Sequence, residues 1–147
     1  MSGFLDSLKK VSLHDHLDGA LRPATIVDLA REQGYRDLPT MDVDALAEWF
    51  DQGLPGNSLE TYLQTFVHTV ALVQNEDAIR RVTREWVEDV AAEGIDLGEV
   101  RIAPELLTTG GLSIERVVDV IADELEDAGS RLGVRAGLIC CAMRTEN

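Results

Sequence analysis

Lysine is nearly absent. Lys9 and Lys10 are the only two in 147 residues, and 13 basic side chains stand against 27 acidic ones, for a formal net charge of −14. A protein that displaces counterions from phosphate needs a lysine- and arginine-rich surface, so this balance argues against nucleic acid as a partner. Apolar runs approaching the ~18 to 20 residues of a membrane span are also missing, and the first ten residues, MSGFLDSLKK, hold no stretch of signal-peptide length. The expectation is a soluble cytoplasmic protein with no membrane partner. The only two cysteines, Cys140 and Cys141, are adjacent, and neighbours on a strand point to opposite faces, so they offer no obvious disulfide or metal pair. Ordinary buried thiols are expected there. No repeat, low-complexity tract or linker is visible. The content is 45% hydrophobic and 27% charged, the balance of an ordinary globular chain, and it excludes wholesale disorder.

Periodicity and punctuation divide the chain into strands and helices. An apolar segment around Val11 to Leu17 ends at Asp18-Gly19 and predicts a strand entering a tight loop. A helix follows from Pro23, with Ile26, Val27, Leu29 and Ala30 on its apolar face and Gly34 as its stop. A second spans roughly Val43 to Asp51, capped by Asp42 and broken by Gly53-Leu54-Pro55-Gly56. The third begins at Asn57-Ser58-Leu59-Glu60, and its stripe of Leu59, Tyr62, Leu63, Phe66, Val67, Val70 and Val73 is by default core. A fourth runs from Glu76 to Glu93 with Ile79, Val82, Trp86, Val87, Val90 and Ala91 inward and Gly94 as its stop. Leu97 to Ala103 reads as a strand, Ile114 to Ala128 as a helix capped by Ser113, and Val134 to Met143 as a strand buried on both faces.

The order β, helices, β, α, β is the opening of an α/β fold built on parallel strands. Three such strands leave open edges, so residues 1–147 are expected to be the first part of a larger single domain, truncated after its third strand and prone to associate.

The sharpest chemical feature is His14-Asp15-His16-Leu17-Asp18-Gly19. Residues i and i+2 of a strand share a face, so His14 and His16 present two imidazoles, each able to sit ~2.0 to 2.1 Å from one zinc ion. Spacing alone equally fits two polar strand residues satisfied by hydrogen bonds. Position favours metal ligation, because two of only three histidines fall at the carboxyl end of the first strand, where parallel barrels place their chemistry. The third, His68, reads as a surface or supporting histidine, and Trp49 and Trp86 as packing residues. Arg101 is expected in a structural salt bridge, and Glu124, Glu126 and Asp127 at a solvated helix end. Glu99 and Glu105 flank the second strand with no spacing that brings them to the histidines.

LHDHLDGALRPATIVDLA, Leu13 to Ala30, resembles the opening signature of metal-dependent adenosine deaminases, and most closely that of bacterial, actinobacterial-type members. Glu99 to Leu107 resembles their second-strand block and Leu138 to Arg144 their third. The resemblance implies a (β/α)8 TIM barrel, of which the first three strands and their helices are present, and zinc-dependent hydrolysis of adenosine or 2′-deoxyadenosine to inosine or 2′-deoxyinosine and ammonia. It implies one Zn2+ per full-length chain, held in part by His14 and His16, and a small-molecule purine nucleoside as partner. Asp18 would hydrogen-bond the ribose with His16 close to the substrate, although Asp18 equally suits a turn cap. Leu59, Tyr62, Leu63 and Phe66 would form an apolar gate. A third histidine, a glutamate, another histidine and an aspartate complete such a site on later strands, so no catalytic residue is expected in this chain and its activity would need residues beyond it. The alternatives are another amidohydrolase-type deaminase, acting on adenine or a modified nucleoside, and a non-catalytic barrel fragment acting as a binding protein.

Overall fold

Three strands, β1 (Lys10–His16), β2 (Ile95–Ile102) and β3 (Arg135–Cys140), form one parallel sheet in the order β1-β2-β3. The computed structural model describes residues 8–52 and 59–144, without the side chains at 52, 59–62 and 64. Helices α1 (Pro23–Gln33), α2 (Val43–Gln52), α3 (Leu59–Leu72) and α4 (Glu76–Ala92) separate β1 from β2, and α5 (Ile114–Leu132) joins β2 to β3. Short 3-10 turns, Leu17–Gly19 and Pro104–Leu107, follow β1 and β2.

Local chemistry accounts for most boundaries. Pro23 opens α1, and Gly34 closes it in the left-handed conformation at φ 67°. Asp42 caps α2 through the Ala45 N–H at 2.9 Å, Asn75 caps α4 through the Ala78 N–H at 3.0 Å, and Ser113 caps α5 through the Arg116 N–H at 3.1 Å. The expected cap of α3, Asn57, lies outside the described residues. Helix α5 runs one turn beyond the expected end at Ala128. A Cβ at Gly129 would lie 2.7 Å from the Val134 carbonyl oxygen, so that glycine serves a close approach to the strand, and Gly133 at φ 75° ends the helix.

Helices α4 and α5 pack on one side of the sheet. Gly98, Val100 and Ile102 of β2 are buried beneath them, while Leu97, Glu99 and Arg101, which alternate with them, keep partial exposure. Around Val100 and Ile102 the core gathers Ile26 and Val27 of α1, Ile79, Val82 and Val87 of α4, and Val117 and Ile121 of α5. Charge ties α1 to α4 as well: the Arg22 guanidinium donates to the Asp89 carboxylate (2.6 Å), to Glu88 and to the Glu85 carbonyl, and Arg81 bridges Asp28 and Glu85. Several charges sharing partners in this way hold geometry better than isolated surface pairs.

Five readings of the sequence are corrected. β3 is not buried on both faces: it is a half-exposed strand, and Cys140 and Cys141 are exposed, because helices cover only one side of the sheet. The stripe of α3 is core only at its carboxyl end: Val73 is buried and Val70 packs against the core, whereas Leu63 and Val67 are 53% and 62% exposed while Thr65, Thr69 and Leu72 are buried. Arg101 meets no carboxylate among the described residues; it donates to the Leu13 carbonyl at 3.0 Å, and its Nε is buried without a partner. Glu124 is not solvated but buried, 3.7 Å from both Arg80 and Arg84 of α4. Leu17 leaves the strand and joins the turn, where it and Asp18 lie buried.

Two outcomes follow from this packing. A Cβ at Gly98 would lie 2.8 Å from Cη2 of Trp86, so Gly98→Ala forces the indole to move and should lower stability by about 1 to 3 kcal/mol, read as a fall in the urea midpoint. The open sheet face carries Val11, 60% exposed, beside Leu97, and Leu13 is 51% exposed, so light scattering on the 147-residue chain should give a mass above that of one copy, falling on dilution. A single-copy mass at high concentration contradicts the second outcome.

Candidate metal centre

β1 is irregular where the histidines lie. Ser12 is the Cα partner of Gly98 and Asp15 that of Val100, so three steps on β1 match two on β2 and β1 carries one extra residue. Asp15 shares the helix-facing side of Val100, and its Oδ2 accepts from Ser12 Oγ at 2.9 Å and from Trp86 Nε1 at 3.3 Å. His16 lies opposite Arg101 on the other face. The His14 and His16 rings are both exposed, with centroids 5.6 Å apart and planes at 39°.

That separation suits a shared ion. Two imidazoles bound to one tetrahedral zinc, each at ~2.0 to 2.1 Å, place their ring centres about 5 Å apart. A second observation points the same way. Asp18, 8% exposed in the turn after β1, has its Oδ1 buried without a hydrogen-bond partner and 3.8 Å from His16 Nδ1. Burial pushes the Asp18 carboxyl above its ordinary pKa, with its own backbone N–H and His16 working against that. An unpaired buried carboxylate oxygen costs free energy unless a ligand satisfies it. The imidazole pair therefore fits a divalent metal as two of its ligands, and the Asp18 oxygen is left open to a donor. Among the described residues no group of three or more His, Cys, Asp or Glu side chains is placed to hold a metal ion.

Phe66 of α3 stands over the pair, edge-on to His16 with centroids 6.5 Å apart. A Cβ at Gly19 would lie 3.1 Å from the Phe66 ring, so the glycine after Asp18 lets the ring settle on the turn. His14, His16, Gly19 and Phe66 line one open cleft of about 430 Å³, which Asp15 and the α4 residues Trp86 and Val90 also line. Leu63 lies on the same helix, exposed, while the side chains of Leu59 and Tyr62 fall outside the described residues. Sequence reasoning missed Trp86 and Ser12 as contributors; the only available signal was an aspartate between the histidines that needed a donor.

His68 does not join this cleft. Its Nδ1 is 2.9 Å from the Tyr35 hydroxyl, and its ring is edge-on to Trp49 at 5.6 Å, so it links α3 to α2 and the end of α1. Glu105 is likewise engaged elsewhere, accepting from the Met143 N–H.

Parallel βα units with a histidine pair at the carboxyl end of the first strand follow the way parallel barrels place their chemistry. Solved structures agree. The chain superposes on an adenine deaminase from Arthrobacter aurescens with a TM-score of 0.80 at 28% identity, over 94% of this chain and 41% of that one. It also superposes on an amidohydrolase from Burkholderia ambifaria with bound zinc, with a TM-score of 0.73 at 28% identity, over 94% and 36%. These are barrel enzymes of the amidohydrolase and deaminase type, and the three-stranded sheet is part of such a barrel. The adenosine deaminase family model matches residues 9–147, and the chain belongs to that family. Adenosine deaminase 1 of Streptomyces coelicolor is 48% identical over 140 residues, 92% of this chain. The chain spans about 35% of the length of that relative.

The third histidine sets a pH dependence. Burial holds the His68 pKa below its ordinary value of 6.5, with Asp37 opposing, so the unfolded chain binds the proton more readily than the folded one. Stability is therefore expected to fall as pH drops through 6.5 toward the lowered folded value, and His68→Gln should flatten that slope in urea titrations at stepped pH. An unchanged slope in the variant contradicts the assignment.

Proposed function

We propose that residues 1–147 supply the opening part of a single hydrolase barrel domain that deaminates adenosine or 2′-deoxyadenosine in the cytoplasm, acting on the C–N bond of the cyclic amidine to release ammonia. The observation that carries this reading is the imidazole pair of His14 and His16 on one face, next to the orphaned Oδ1 of Asp18. Membership of the adenosine deaminase family supports it.

In this reading His14 and His16 hold one zinc ion, which when bound supplies Lewis-acid activation of water at neutral pH. Asp18 accepts a hydrogen bond from a ribose hydroxyl, replacing the partner its Oδ1 lacks. Phe66 closes one wall of the cleft against water, and exposed Leu63, with Leu59 and Tyr62 on the same helix, covers the base; an apolar face turned outward suits a gate better than a core stripe. The remaining metal ligands and the groups that move protons come from residues beyond this chain, so the chain alone is inactive. The purine is a small-molecule partner, and no helix among the described residues is long and apolar enough to cross a membrane.

A second reading, deamination of adenine or a modified nucleoside, is favoured by the superposition on an adenine deaminase. The orphaned Asp18 oxygen favours a ligand with a ribose. A chimera in which this chain replaces the matching segment of the Streptomyces coelicolor relative tests both, assayed on adenosine, 2′-deoxyadenosine and adenine. His16→Ala should remove zinc and turnover. Asp18→Ala should keep zinc and lower kcat/KM on nucleosides by about one to two decades, the worth of one hydrogen bond to a charged group, roughly 1.5 to 3 kcal/mol. Stoichiometric zinc in the His16 variant, or zinc loss in the Asp18 variant, reverses the roles. A zinc-free chimera points to a non-catalytic binding protein.

A further inference from the structure

We propose that Asp15, the residue between the two histidines, is the positioning residue that turns the imidazole pair onto the open face of the sheet. Strict alternation along β1 would do the opposite. Ser12 pairs with Gly98 and shares its helix-facing side, so without an irregularity His14 and His16, two and four residues on, would face the helices, and Asp15 would point outward. The extra residue between Ser12 and Asp15 reverses this. Ser12 and Asp15, three apart, are the half-buried residues of β1, while Leu13, His14 and His16 are exposed.

What holds the extra residue in place is the Asp15 carboxylate. Its Oδ2 takes the Ser12 hydroxyl at 2.9 Å, joining the two ends of the bulge, and the Trp86 N–H at 3.3 Å, joining the strand to α4. Arg101 adds a third tie by donating to the Leu13 carbonyl inside the bulge. The indole can reach β1 because Gly98 of the neighbouring strand has no side chain in its path; a Cβ there would lie 2.8 Å from Cη2. Remove the carboxylate acceptor, and the bulge loses the bonds that distinguish it from regular pairing, in which every side chain beyond Ser12 changes face.

This inference rests on the metal-site reading above, and the test separates the two. The 147-residue chain is titrated with zinc chloride by calorimetry, and the reactivity of each histidine toward diethyl pyrocarbonate is read by peptide mass spectrometry, which needs no metal. Asp15→Ala should bind zinc about tenfold more weakly, the usual effect of losing a group that orients a ligand, and His14 and His16 should react more slowly as their rings turn inward. Asp15→Asn keeps a carbonyl acceptor for both donors and should match the parent in both readouts. Trp86→Phe leaves a ring over Gly98 but has no N–H, and should shift both readouts in the direction of Asp15→Ala; it carries the test if Asp15→Ala fails to fold.

Unchanged affinity and reactivity in Asp15→Ala, or in Trp86→Phe if that variant stands in for it, overturns the inference. So does an Asp15→Asn variant as impaired as Asp15→Ala, which would make the carboxylate a ligand. His16→Ala is the control for the metal reading. Zinc binding indifferent to His16 removes that reading, while a slowed histidine reactivity in Asp15→Ala would still sustain the positioning role.

Discussion

The indole of Trp86 lying across Gly98 is the contact on which the geometry of the site depends. It fills the gap between α4 and the sheet as a core aromatic does, and its single polar atom is delivered to the Asp15 carboxylate of β1. Because α4 is also tied to the start of α1 through Arg22 and Asp89, the helix that steadies Asp15 also steadies the segment leaving the site. The turn Leu17–Gly19 lies between these two anchors, with its ends set by different interactions, and Asp18 is buried within it.

The described residues divide sharply between a covered side of the sheet and an open one. On the helix side of the sheet, aliphatic residues of β2, α4 and α5 are buried to a few per cent exposure, and even Glu124 is placed between two arginines. On the other side the strands present Val11, Leu97, Arg101 and the histidines, with the Phe66 ring against His16. Family relatives are about three times as long, and in a closed barrel the same face is the packed interior and mouth. Arg101, with a buried Nε lacking a partner, and Asp18, with a buried oxygen lacking one, both lie at this boundary.

Elements whose boundaries depend on neighbouring residues were legible in the sequence. Pro23 and Gly34 bound α1, Asp42 and Ser113 cap their helices, and the alternation of Val100 and Ile102 marks the buried side of β2. Readings that depended on what lies opposite were not. The apolar stripe of α3 and the apolar run of β3 are both compatible with burial, and nothing local tells which side a partner will cover. Glu124 looked solvated because its arginine partners, Arg80 and Arg84, are about forty residues away in the chain.

The same division holds at the site. The sequence by itself determined that His14 and His16 share a face, because that follows from the two-residue period of a strand, and that a tight turn with Asp18 comes next. Which face they share was decided by tertiary structure alone. It turns on a single extra residue in β1, stabilised by a donor from Trp86, 71 positions away, that reaches Asp15 only because Gly98 leaves room. Periodicity carries no sign, and the sign comes from long-range packing.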